Sequence, residues 1–392
     1  MNVRPPTSQD STRWDVAVIG AGPAGTAAAF ACAALGLRTL IVEKAAFPRD
    51  KVCGGCVSPS GMNSLRQMGL EQAIRRVASP IHSFSLAARG RRLGVCLDQQ
   101  GAAIGRDVLD SMLLDHAAMH GAVVRQNSVA TLVESSNDGC TIGVSDREGS
   151  EEISAAVVIV ADGLAGNFLP RDGRWESRTA KGSYFGVGTR LPPGTAGALC
   201  EPGTIAMRCG CAGYFGAVLL NDGSVDVAAA LSPEKTKQLG GPGAAVRQLA
   251  IESGSPEHAD VLATARWRGT PLLTRRRIVE APGIFVVGDA AGYVEPFTGE
   301  GMSWGLAAGL AVARHADASL TRRYQLGAWT NEWKRLADRR RVACRATAIA
   351  LRSPTLIAVS IRIANAIPAA AHALSSVVSG PWRMSVPERV RA

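Results

Sequence analysis

Apolar and polar positions along the chain fall into two patterns. In the first, a strand-length apolar run is followed by an Ala-rich or amphipathic stretch of helical length. Residues 15–20 (DVAVIG) form such a run, residues 24–36 are Ala-rich and helical, and residues 38–42 (RTLIV) form the next strand, closed by Glu43. Together they make one βαβ unit of about 30 residues. Residues 106–120 (RDVLDSMLLDHAAMH) predict an amphipathic helix followed by a strand over 122–125. Residues 157–161 (VVIVA) and 284–287 (IFVV) are apolar throughout, as in strands of a parallel sheet covered on both faces, and residues 301–320 predict a long helix.

The second pattern is strand alternation. It appears over 81–97 and again over 183–268, where SYFGVGTRL, GTIAMRC, GYFGAVLL and SVDVAAAL predict an antiparallel sheet. A Gly/Cys/Pro loop over 52–69 leads into a helix, and residues 321–380 look helical throughout.

The turn inside the βαβ unit carries the first candidate chemistry. Gly20, Gly22 and Gly25 stand in the spacing G-x-G-x-x-G, with Pro23 and Ala24 between them, directly after a strand and at the start of a helix. The first glycine permits the tight turn, the second lets the backbone approach a pyrophosphate, and the third allows helix and strand to pack closely. The free N–H groups of the helix N-terminus then face the phosphates. Glu43, 18 residues past Gly25, is placed to accept hydrogen bonds from ribose hydroxyls, with Lys44 beside it. Gly288 and Asp289 close the strand IFVV, where open α/β sheets bind ligands; an Asp N-cap is the alternative for Asp289. Pro296, Phe297, Gly299, Gly301 and Met302 then open a helix whose glycine-rich backbone presents N–H groups to an electron-rich ring edge.

These elements predict an α/β chain with a discontinuous Rossmann-type domain over 15–75, 100–180 and 270–320. A substrate domain over 76–99 and 181–269 is inserted into it, a disordered lead-in covers 1–14, and a basic helical segment covers 321–392. At 392 residues the chain is long enough for both domains.

Charge changes the picture only at the C-terminus. Residues 321–392 hold thirteen Lys/Arg against three Asp/Glu, so the whole net charge of +10 lies there. The surplus reads either as a solvated basic helix or as a surface for something anionic: a phospholipid surface, a diphosphate-bearing substrate or an acidic carrier protein. No nucleic-acid-binding module accompanies it. The apolar run TAIALRSPTLIAVSIRIANAIPAAAHAL that follows the basic stretch is interrupted by Arg352, Arg362 and Pro368. It fits helices packed over the substrate domain, or an interfacial segment, rather than a span. The N-terminal residues lack a secretory h-region, and nine scattered cysteines fit reduced thiols. A cytoplasmic location is expected, with contact at the inner face of the membrane as an addition.

The motif set resembles the geranylgeranyl reductase family within the para-hydroxybenzoate hydroxylase-like flavoproteins. The matching stretches are DVAVIGAGPAGTAAA, IVEKAAFPRDKVCGG, IGRDVLD, VADG and GDAAGYVEPFTGEGM, in the family's order over residues 15–310. The resemblance implies non-covalent FAD, reduced by NAD(P)H. It implies FAD contacts for Arg106, for Asp162 in its Asp-Gly motif, for Asp289 near the ribityl chain and for the backbone of 299–302, and a structural role for Asp110. The family's Tyr-x-Trp-x-Phe-Pro pattern is reduced here to GYFGAV, with Tyr214 and Phe215 but neither Trp nor Pro. The Trp-x-Trp-x-Ile-Pro pattern of flavin halogenases is lacking from the same stretch.

Cys53 matches the family cysteine near the flavin and is the candidate proton donor. Gly54, Gly55, Cys56, Tyr214, Phe215, Pro296 and Phe297 are candidate pocket residues. The CxxC of Cys53 and Cys56 also fits simple packing or a redox disulfide. No metal site is expected: His116 and His120 form an i, i+4 pair that fits a surface or core role, and Cys200, Cys209 and Cys211 lack zinc spacing. The expected activity is reduction of an isoprenoid or other lipid-like substrate. Monooxygenation of an aromatic or polyketide-derived compound and flavin binding without turnover are the alternatives.

Overall fold

A computed structural model of the chain describes residues 13–367, apart from 172, 196–198 and 296–299, and gives only the backbone for 337–343. Along the chain run β1 (Arg13–Ile19), α1 (Pro23–Ala34), β2 (Thr39–Val42), β3 (Cys56–Val57), α2 (Pro59–Gln67), α3 (Glu71–Val77), β4 (Ser79–Ala88), β5 (Arg91–Ala103) and α4 (Arg106–Met119). Then come β6 (Val123–Arg125), β7 (Val129–Ser136), β8 (Gly139–Ser145), β9 (Ser150–Val160), β10 (Arg178–Thr179), β11 (Phe185–Leu191), β12 (Thr204–Gly210), β13 (Gly213–Leu219) and β14 (Val225–Leu231). The remainder is α5 (Pro233–Leu239), α6 (Pro242–Glu252), α7 (Ala259–Thr264), β15 (Arg268–Leu272), β16 (Arg275–Arg276), β17 (Glu280–Ala281), β18 (Ile284–Val286), β19 (Gly292–Tyr293), α8 (Glu300–Leu320), α9 (Ala328–Leu351) and α10 (Pro354–Ala366).

The first sheet has the order β17-β18-β9-β1-β2-β6, parallel from β18 to β6, with the β7–β8 hairpin joined to β9. Residues 16–19, 40–42 and 157–160 of its central strands are buried throughout, which is why they read as unbroken apolar stretches. The expected lead-in over 1–14 ends earlier than anticipated: Arg13 and Trp14 already pair with β9, and residues 1–12 lie outside the described residues. The β7–β8 hairpin was not expected. β8 alternates between half-buried and buried positions, but β7 buries none of its residues, so half of the hairpin carries no core-facing pattern.

The second sheet has the order β15-β11-β14-β13-β12-β4-β5-β3. Its strands β11 to β15 pair antiparallel, as expected for 183–268, and beyond β12 the sheet continues through β4, which runs parallel to it. Residues 56–57 and 100–103, assigned from sequence to the first domain, also pair in this sheet. One face packs on α6 through Val187, Phe215, Val227, Val246 and Leu249. The other faces the first sheet and α10. Arg190 on β11 fastens the two parts, bonding Asp226 on β14 and Asp107 on α4 at 2.7 and 3.0 Å.

C-terminal residues 328–351 and 354–366 are helical, whereas 321–327 form a turn and 368–380 lie outside the described residues. Trp329 Nε1 donates to Val286 O at 3.1 Å, and His315 Nε2 meets Glu332 at 2.6 Å, so α9 is fixed to β18 and α8.

Helices α1 and α8 lie against each other at backbone distance. A Cβ placed on Gly309 would stand 2.3 Å from Ala24 O and 2.9 Å from both Ala27 Cβ and Ala28 N. Alanine in an open helix interior stabilises by about 1 kcal/mol relative to glycine. Here the overlap with fixed backbone reverses the sign. Gly309→Ala is expected to lower stability by about 2 kcal/mol, read as an earlier midpoint in urea unfolding; a later midpoint would show that the helices are free to move apart.

Candidate active site

The glycine turn sits at the carboxyl end of β1, as its sequence demanded. Gly20 has φ +101°, and a Cβ there would come within 2.6 Å of Ala161 O. A Cβ on Gly25 would overlap Gly20 O at 1.9 Å. Both positions therefore need glycine for close approach. Gly22, the N-cap of α1, differs: a Cβ on it would meet only Arg106 Nη2 at 3.8 Å and Arg49 Nη2 at 3.9 Å. No side chain caps α1, and Pro23 occupies its first turn. The backbone is thus open, at a helix N-terminus, beside two guanidinium groups.

Those guanidiniums share one carboxylate. Asp110, fully buried on α4, accepts from Arg106 Nε and Nη2 at 2.8 and 2.7 Å and lies 3.2 Å from Arg49 Nη1. Arg49 Nη2 also lies 3.8 Å from Glu43 Oε2, so two carboxylates balance the two guanidiniums, whose Nη2 atoms still stand on the Gly22 side. Burial works against the Arg106 charge, but Asp110 outweighs it and holds the guanidinium above its usual range, with Cys53 adding to the effect. Arg49 stacks over Phe47, and its buried Nε has no hydrogen-bond partner. A buried donor left unsatisfied beside an open helix N-terminus is what a pyrophosphate would complete.

From this turn a cavity of about 610 Å³ runs toward the second sheet, a size typical of small-molecule sites. Among the anticipated cofactor residues, Gly20, Gly22, Glu43, Lys44, Arg106, Asp162, Asp289, Gly301 and Met302 line it. Glu43 already accepts from Ala21 N at 2.8 Å and Ala45 N at 3.0 Å, and its carboxylate keeps further lone pairs for a ribose. Pro23, Ala24, Gly25 and Gly288 act from behind: a Cβ on Gly288, where φ is +61°, would stand 2.8 Å from Ala24 Cβ. Asp289 lies in a short 3-10 turn and does not cap α8. Gly299, Pro296 and Phe297 fall outside the described residues.

Asp289 faces Lys51, a residue that entered the sequence reading only as part of FPRDK. Lys51 counts as exposed, yet the surface it shows lines the cavity. Burial therefore dominates, and Arg106 adds to it, lowering the Lys51 ammonium against the pull of Asp289. Burial likewise raises the Asp289 carboxyl, opposed by Lys51 and Arg106. Asp162 is raised by burial too, although Phe168 N donates to it at 3.0 Å.

At the far end the walls are apolar: Ile205, Met207, Val218 and Leu273. Of the candidate pocket residues, Cys53, Gly54, Cys56 and Tyr214 line the cavity, with Cys53 beside Arg106. Gly55 does not. It has φ +65° and packs against Asp226 and Val218. Phe215 does not either: on β13 it points to the opposite face, into the core under α6, because successive side chains on a strand alternate. Cys53 and Cys56 are free thiols, and the Cys56 thiol bonds Gly54 O at 3.2 Å.

Three polar residues were not singled out from sequence. Tyr293 lines the cavity. Glu295, fully buried, accepts from Tyr214 Oη at 3.4 Å and from Arg352 at 2.6 Å. Arg352 stacks over Tyr184 at 4.1 Å. Burial first, and nearby Glu295 next, raise the Tyr214 hydroxyl; burial and Asp289 do the same for Tyr293. Both stay protonated donors. Among the described residues no group of three His, Cys, Asp or Glu is arranged to hold a metal ion. His116 stacks on Phe30, and His120 meets the same ring edge-on.

Residues 13–173 match the family model described as an FAD binding domain. The chain is 27% identical over 329 residues to a menaquinone reductase of Mycobacterium tuberculosis, covering 78% of this chain and 76% of that protein. It is 28% identical over 331 residues to digeranylgeranylglycerophospholipid reductase 1 of Methanothermobacter thermautotrophicus, covering 79% and 78%. In fold it is similar to a flavoprotein/dehydrogenase from Cytophaga hutchinsonii (TM-score 0.79, 20% identity, 95% and 94% covered). It is also similar to a myxobacterial chondrochloren halogenase (TM-score 0.76, 18% identity, 97% and 95% covered).

Arg49 offers a direct check on the pyrophosphate cradle. Arg49→Met keeps the side chain's length and its contact with Phe47 but removes the unpartnered donor. FAD affinity, read by quenching of FAD fluorescence in titration, is expected to fall by about tenfold or more, as for a lost charge-assisted bond. Unchanged affinity would place the pyrophosphate elsewhere.

Proposed function

We propose that the chain, an FAD-dependent oxidoreductase similar to the geranylgeranyl reductase-like enzymes, reduces a polyisoprenoid lipid at the expense of NAD(P)H. The observation that carries this reading is the cavity itself. It is continuous from the charged glycine turn to apolar walls at Ile205 and Met207, so one site has room for a dinucleotide at one end and a hydrocarbon at the other. Both reductase relatives are named for lipids built from isoprene units.

FAD, when bound, supplies two-electron transfer from the nicotinamide donor to the substrate. The protein residues do the rest. Gly22, the α1 N-terminus, Arg49 and Arg106 would hold the pyrophosphate, Glu43 the ribose and Asp289 the ribityl hydroxyls. Gly301 and Met302, in the first turn of α8, would turn backbone N–H groups toward the negative charge of the reduced ring. The apolar walls exclude water and accept the isoprenoid chain. Cys53 lines the cavity beside Arg106 and would give the proton that completes saturation of a double bond or reduction of a carbonyl. Tyr214, steadied by Glu295, and Tyr293 are the other protonated donors at that end.

Under argon, the FAD-loaded protein mixed with NADPH or NADH is expected to bleach and then to recover colour on addition of menaquinone or a geranylgeranyl lipid, with reduced product found by mass spectrometry. Turnover that requires oxygen and hydroxylates a phenolic compound would instead assign a monooxygenase, the reading suggested by the halogenase-like fold. Cys53→Ala is expected to slow the substrate step by about a hundredfold, typical for loss of a general acid, while bleaching by the nicotinamide keeps its rate. Equal slowing of both steps would make Cys53 a packing residue.

A further inference from the structure

Helix α10 is apolar on two sides. Its inner side, Ile357, Ala358, Ile361 and Ala364, is buried against the second sheet. Its outer side shows Leu356 (50% exposed), Val359 (49%), Ile363 (48%) and, just past its end, Ile367 (51%). These four recur every three or four residues and form a single stripe about 17 Å long. Ile349 (57%), near the end of α9, adds to it. A solvated helix would carry polar residues on that stripe.

Basic residues rim the stripe. The tip of the β4–β5 hairpin lies alongside α10: Arg89 Nη1 donates to Thr355 Oγ1 at 2.6 Å, and Asn365 Nδ2 donates to Arg92 O at 3.1 Å. Arg89, Arg91 and Arg92 are exposed there, as are Arg345 on α9 and Arg362 on α10. The charge surplus of residues 321–392 has the same sign. An apolar stripe bordered by exposed guanidiniums matches the boundary between acyl chains and anionic headgroups.

Insertion across a bilayer does not fit. No single helix among the described residues is long and apolar enough to cross a membrane, and the two pieces Cys344–Leu351 and Pro354–Ala366 meet at 105°. At their junction Arg352 is bonded to Glu295 and to Gly182 O at 2.8 Å, and the inner side of α10 is already occupied by the sheet.

We propose that the outer face of α10 is a docking surface for an anionic phospholipid bilayer, with the helix lying in the interface plane. The packing beneath it gives this a bearing on the substrate. Ile357 and Ile361 belong to the same apolar cluster as Ile205, Met207 and Tyr214, which line the cavity. The docked face therefore backs directly onto the apolar end of the site. That bearing rests on the lipid substrate proposed above; the docking does not, and its test involves no turnover.

Full-length, FAD-loaded protein would be sedimented with vesicles of phosphatidylcholine alone and of equal parts phosphatidylcholine and phosphatidylglycerol. Binding is expected to the anionic vesicles, falling with added salt. The double variant Val359→Ser/Ile363→Ser is expected to bind about tenfold more weakly, because two half-exposed apolar side chains no longer enter the interface. Its unfolding midpoint and flavin content should match the unmodified protein, so loss of binding is not loss of fold. No binding to anionic vesicles, or equal binding by the variant, overturns the proposal. So does a lipid-free dimer that the variant dissolves, which gives the face to a second copy. Capture of an acidic carrier protein without vesicle binding would give it to that partner.

Discussion

The site depends on one buried carboxylate. Asp110 lies on α4 with no exposed surface and receives two guanidiniums, one from its own helix and one from the loop after β2. Removing one partner of such a buried pair typically costs about 3–5 kcal/mol, because the remaining charge is left uncompensated. Asp110 thus fixes where Arg49 and Arg106 can be, and through them the charge beside Gly22. Its i, i+4 spacing from Arg106 is local. Its tie to Arg49 brings the loop that contains Lys51 and Cys53 over the glycine turn. The same loop carries the Cys53 thiol at one end and the Arg49 guanidinium at the other, so one ion-pair cluster sets the positions of both.

A second constraint comes from the C-terminus. Helices 328–351 and 354–366 are anchored at Trp329, at Glu332 and, where they bend, at Arg352. Arg352 reaches Glu295, which in turn holds Tyr214 on the cavity wall. A residue far beyond the dinucleotide-binding motifs thereby positions a hydroxyl donor at the apolar end of the site. The C-terminal helices do not line the cavity themselves; α10 packs in the apolar cluster that includes Ile205, Met207 and Tyr214 of its wall.

What the sequence made legible was local. Gly20, Gly22 and Glu43 rest on spacings within one βαβ unit, Asp289 on its place at a strand end and Arg106 on a short family motif, and all five line the cavity. What stayed hidden was long-range. Tyr214 meets Glu295 across 81 residues and Glu295 meets Arg352 across 57, and no periodicity announces either contact. The parallel pairing of β12 with β4 was equally invisible, because nothing in the residue pattern of either strand states the direction of its partner. Lys51 and Arg49 stood in a stretch that resembled a family motif, yet their roles emerge only once Asp289 and Asp110 are placed opposite them.

Alternation on β13 shows how narrow the margin was. Tyr214 and Phe215 are neighbours of similar size, and both were candidates for the pocket. A strand sends them to opposite faces, so one enters the cavity and the other the core under α6. The face that received Tyr214 is also the face that α10 covers. The register of β13 therefore decides more than one side chain: it makes the apolar end of the cavity, the seat of α10 and the path between them parts of a single packed layer. A shift by one residue would bury Tyr214 under α6, leave Glu295 without its hydroxyl and separate the cavity from the helix that backs it.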